Sequence, residues 1–65
     1  MEVRSKVEAA AKRCGVLDNI TISEREDGRL EVVKENGLTL VFLGQLDEQG
    51  LHGYVTSEKT IIVWK

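Results

Sequence analysis

Asn36-Gly37-Leu38-Thr39-Leu40-Val41-Phe42-Leu43-Gly44 holds the chain's longest apolar passage, six residues from Leu38 to Leu43 in which only Thr39 is polar. A strand with one solvated face alternates apolar and polar residues, so a near-continuous apolar run reads as a strand covered on both faces. Leu38–Leu43 is therefore expected to be the middle strand of a sheet, with the rest of the chain supplying its neighbours and a helix to cover it.

Upstream, Ile20-Thr21-Ile22-Ser23-Glu24-Arg25 alternates cleanly, placing Ile20 and Ile22 toward a core. Asp27-Gly28 is a hairpin signal of the type I′ kind, and Arg29–Lys34 follows as a second strand with Leu30 and Val32 inward. Asn36-Gly37 repeats that signal and would lead into the central run. Downstream, Gly44–Gly50 reads as a loop around Leu46. Leu51–Thr56 then reads as a fourth strand, in which Gly53 marks a bulge or a close backbone contact, and Thr60–Trp64 as a fifth.

The first residues differ in period. Val3, Val7, Ala10, Ala11 and Cys14 recur three and four apart and collect on one helical face, Lys12 and Arg13 fall in the last turn, and Gly15 sits just past the end. The expected architecture is thus one α+β domain over residues 1–65. One N-terminal helix packs on an antiparallel β-meander of about five strands, open or curled partly into a barrel.

Composition narrows the function classes. Sixty-five residues bury little surface, and domains of this size commonly depend on disulfides, a metal or association. Cys14 is the only cysteine and His52 the only histidine, so neither an internal disulfide nor a zinc site of paired Cys and His can be built, and no cofactor is expected. Association is left as the supplement. The free thiol and the lack of a leader or long apolar segment point to a cytoplasmic, reducing setting without membrane contact. The net charge of −2 divides into +2 over residues 1–17 and −4 over the rest, whereas a dedicated nucleic-acid binder carries a marked basic stripe. Nucleic acid is accordingly disfavoured as a partner, with the basic flank of the N-terminal helix as its foothold.

The residues that could do chemistry have plainer uses. Cys14, on the apolar face at a helix C-terminus where the dipole opposes a thiolate, reads as a packed thiol. His52, flanked by Gly50 and Gly53, is the candidate for acid–base work, but no Ser, Asp or Glu is placed beside it by pattern. The acids Glu24, Glu26, Asp27, Asp47 and Glu48 lack calcium-loop spacing and read as solvated turns. Phe42, Tyr54 and Trp64, the only aromatics, read as core and interface residues.

The expected function is a small non-enzymatic protein-interaction module acting as a homo-oligomer. A weak nucleic-acid-binding domain is the alternative, and a small enzyme using His52 comes third. The expected interface follows from the pleat: with Leu38, Leu40 and Phe42 toward the helix, Val41 and Leu43 face the other way, joined by Val33. Ile61-Ile62-Val63-Trp64 would close a meander as an exposed apolar edge, which monomers avoid. Val33, Val41, Leu43 and Trp64 are therefore expected to be buried in a homodimer.

Overall fold

The computed structural model describes residues 2–65. The chain runs α1 (Glu2–Arg13), a 3-10 turn (Leu17–Asn19), β1 (Ile20–Glu24), β2 (Leu30–Lys34), α2 (Leu40–Glu48), β3 (His52–Val55) and β4 (Thr60–Trp64). The strands form one open antiparallel sheet in the order β1-β2-β4-β3. The α+β class, the antiparallel sheet and the N-terminal helix are as expected. Of the two expected forms the sheet is the open one; two details differ among the described residues: there are four strands and a second helix, and the order is not a meander.

The largest difference lies in the stretch from Leu38 to Leu43. It is not a strand; it enters α2, which continues through the segment read as a loop. Thr39 is the N-cap, its hydroxyl oxygen accepting from the N–H of Phe42 at 3.2 Å. Beyond the cap, Phe42 and Leu46 lie one turn apart and are buried, while Leu38 and Leu43 pack beside them. Leu40 and Val41 extend the apolar run without joining this stripe, and so disguise a 3.6-residue period as a buried strand. A short apolar run has the same appearance in either state.

Both helices end in the same way. At α1, Gly15 takes φ +71°, the Gly15 N–H donates to the Lys12 carbonyl and the Val16 N–H to that of Ala11. At α2, Gly50 takes φ +78°, the Gly50 N–H donates to Asp47 and the Leu51 N–H to Leu46. These are paired Schellman bonds, each with an apolar residue after the glycine packing against the core. Leu51 and Leu46 are both buried.

The turns show a second correction. Neither Asp27 nor Asn36 has positive φ; only the glycines after them do, so neither is a type I′ turn. At the β1–β2 hairpin the Gly28 N–H donates to the Arg25 carbonyl and the Arg25 N–H to that of Arg29. This is a three-residue loop with a left-handed glycine at its bulge. Asn36-Gly37 closes a similar turn on Lys34, but then carries the chain off the sheet into α2.

The core sits between the two helices and one sheet face. It joins Val7, Ala10 and Ala11 of α1, Phe42 and Leu46 of α2, Leu51, and the inward residues Leu30, Val32, Ile61 and Val63 of the two central strands. Val3 and Cys14 pack at its margin, as the helical spacing implies. Lys34 shares the inward parity of Leu30 and Val32 and is buried; its ammonium donates to the Gly37 carbonyl at 2.8 Å.

Candidate interaction surface

Two surfaces remain outside this core, and the register defines both. The first is the outward sheet face. Arg29 precedes Leu30, which pairs with Val63, so Arg29 stands across from Trp64, and Trp64 pairs in turn with His52. The three form a row across the sheet end: the Arg29 guanidinium lies 4.0 Å from the centre of the Trp64 ring, and His52 stacks on that ring at 5.7 Å and 28°. In the next row Ile62 pairs with both Glu31 and Tyr54. Ile62 is buried although it points away from the helices. Its cross-strand neighbours on that face are Glu31 and Tyr54.

The second surface runs along β3 and the start of α2. The Leu38 N–H donates to the Glu58 carbonyl, which sets the entry of α2 beside the β3–β4 turn, while Leu51 leads from the helix end directly into β3. Helix and strand thus lie antiparallel, with Leu40 and Val41 at the level where β3 ends. Four of the five large apolar side chains exposed among the described residues lie here, Leu40 at 87%, Val41 at 68%, Tyr54 at 64% and Val55 at 49%; the fifth is Leu17. β3 itself is a sheet edge, exposed at every position, and contains no Lys, Arg, Asp, Glu or Pro.

The expected interface residues do not share one surface. Val33 and Trp64 lie half-buried on the outward sheet face, Leu43 packs against the core from α2, and Val41 stands exposed in the first turn of the same helix. The feared apolar edge Ile61–Trp64 is no edge, because β4 inserts between β2 and β3. The strand expected over Leu51–Thr56 is present as β3, but its place as the exposed outer strand follows only from the strand order. The usable sign was its lack of charge.

The remaining candidates are also placed. Cys14 is half-buried against the core, and the partner of His52 is the Trp64 ring. The acids of the β1–β2 turn, Glu24, Glu26 and Asp27, line an open recess with Arg25. Asp27 accepts from the Arg29 N–H at 3.0 Å and from the Arg25 guanidinium at 3.4 Å. The backbone bond from Arg29, aided by the Arg25 cation, holds the Asp27 carboxyl below its ordinary range. Among the described residues there is no group of three or more His, Cys, Asp or Glu side chains that could hold a metal ion. Nor is any helix among them long and apolar enough to cross a membrane. Compared with known proteins, the chain matches no family model, no curated protein and no solved structure.

Proposed function

We propose that this chain is a non-enzymatic protein-interaction module that acts as a homo-oligomer in a cytoplasmic setting. The observation that supports it is the exposure of Leu40, Val41, Tyr54 and Val55 around an uncharged strand edge, in a chain with one thiol and no second cysteine to bridge. Of the residues expected from sequence to be buried between copies, Val41 remains part of this surface. Val33 and Trp64 lie half-buried on the outward sheet face. Sedimentation equilibrium over a concentration series tests the reading: the expected result is a mass rising to that of a dimer or higher. A monomer at every concentration would refute it.

Nucleic-acid binding stands second, because the Arg29–Trp64–His52 row with Tyr54 beside it is of the kind on which unpaired bases stack. Glu31 in the same face and the net charge of −2 weigh against it. A gel-shift series on single- and double-stranded oligonucleotides decides this reading, since phosphate contacts must weaken as salt rises.

A further inference from the structure

Resting on the homo-oligomer reading, we propose that two copies join edge to edge through β3, antiparallel about a two-fold axis at Tyr54, so that the two sheets become one. The argument starts from the hydrogen bonds of the β3–β4 hairpin. The Thr56 N–H donates to the Thr60 carbonyl at 3.0 Å, and the register continues through Val55 with Ile61, Tyr54 with Ile62, Gly53 with Val63 and His52 with Trp64. Bonded and non-bonded pairs alternate in an antiparallel ladder. Tyr54 and His52 therefore direct their backbone groups to β4, while Gly53 and Val55 direct theirs away from the sheet.

The ladder on the other side of β4 has the complementary phase. The Lys34 N–H donates to the Lys59 carbonyl, so Ile61 and Val63 bond to β2, and the even positions of β4 bond to β3. The free edge thus carries two outward N–H groups and two outward C=O groups, symmetrically disposed about Tyr54. One antiparallel register satisfies all four within the strand: Gly53 opposite the partner's Val55 and Val55 opposite the partner's Gly53. Moving the axis to Gly53 would draw on the Leu51 N–H, already given to Leu46, and moving it to Val55 would draw on the Ser57 N–H, already given to Thr60.

Charge selects a second copy as the occupant. Each chain carries −2, and two such chains repel wherever their acids meet. Gln49–Ser57 contains no Asp, Glu, Lys or Arg, and neither does Asn36–Leu46, which brings Leu40 and Val41 to the same edge. An antiparallel pairing about Tyr54 sets these uncharged segments against each other. The opposite edge, β1, offers less: its exposed side chains are Thr21, Ser23 and Glu24, and its isoleucines are half-buried. On the axis, Tyr54 meets the partner's Tyr54 as a non-bonded pair, the closer of the two kinds of cross-strand pair.

Two variants test the geometry. Tyr54→Lys sets like charges directly opposite each other at a position that is mostly solvent-exposed in the single chain. It is expected to sediment as a monomer with an unchanged circular dichroism spectrum, while Thr21→Lys on the far edge stays associated. In a Cys14→Ala background, Tyr54→Cys is expected to form a covalent dimer under mild oxidation, because directly opposed non-bonded positions approach the separation a disulfide requires. Ser23→Cys in the same background is expected to form none. Association that survives Tyr54→Lys, together with no cross-linking at position 54, would overturn the β3 pairing and leave the homo-oligomer standing. A wild type that is monomeric throughout would overturn both. Should Tyr54→Lys fail to fold, the cross-link alone decides.

Discussion

The Cδ1 of Ile61 occupies the space where Gly53 lacks a side chain: a Cβ built on Gly53 would lie 2.7 Å from it. The two residues sit diagonally on neighbouring strands, Gly53 pairing with Val63 and Ile61 with Val55. Ile61 is a buried core residue, so it has little room to turn away. Gly53→Ala is expected to cost about 1–3 kcal/mol by overpacking. Gly44→Ala has open space around its Cβ on α2 and is expected to stabilise by about 0.5–1 kcal/mol. Urea midpoints of the two variants should move in opposite directions.

The helical reading of residues 40–48 is tested by truncation along the stripe. Leu46→Ala removes a buried side chain and is expected to cost about 2–5 kcal/mol. Leu40→Ala removes one that is 87% exposed and is expected to stay within about 0.5 kcal/mol. Thr39→Ala deletes the cap on the Phe42 N–H and is expected to cost about 1 kcal/mol. A strand at this position would instead make Leu40 as costly as Phe42, so chemical denaturation of the set separates the two readings.

Asp27 gives the β1–β2 hairpin an acid-sensitive element. Its carboxyl is held below the ordinary range first by the Arg29 N–H and then by Arg25. A carboxylate with a lowered folded-state pKa contributes stability that is full above its unfolded pKa and is lost as the pH falls through the folded value. Wild type is therefore expected to exceed Asp27→Asn in stability at neutral pH, and the gap should close in acid below the ordinary aspartate range. Thermal unfolding of both proteins across the acid range measures it, and a gap independent of pH would contradict the assignment.

Trp64 is the only tryptophan, so its emission reports the Arg29–Trp64–His52 row directly. Arg29→Ala should shift the Trp64 emission and cost about 0.5–1 kcal/mol, the range for a cation–π pair near the protein surface. Arg4→Ala, distant on α1, should leave the spectrum unchanged.

The elements legible in the sequence are those whose pattern is local. The α1 face of Val7, Ala10 and Ala11, its stop at Gly15, and the inward parity of Leu30 and Val32 all follow from a period and a cap, and all are found in the structure. The Thr39 cap and the Gly50 stop of α2 were also written in the chain. They were outweighed by Leu40 and Val41, whose exposure no local rule reveals because solvent access is settled by what packs nearby. Strand order was illegible for the same kind of reason. Ile61-Ile62-Val63 reads as a dangerous edge until β4 inserts between β2 and β3, pairing on both sides and handing the edge to the shorter, uncharged β3. Period and capping are properties of neighbours along the chain and survive in its sequence. Which strand ends outermost, and which apolar residues stay uncovered, depend on contacts between segments far apart in the chain, and only the tertiary structure decides those.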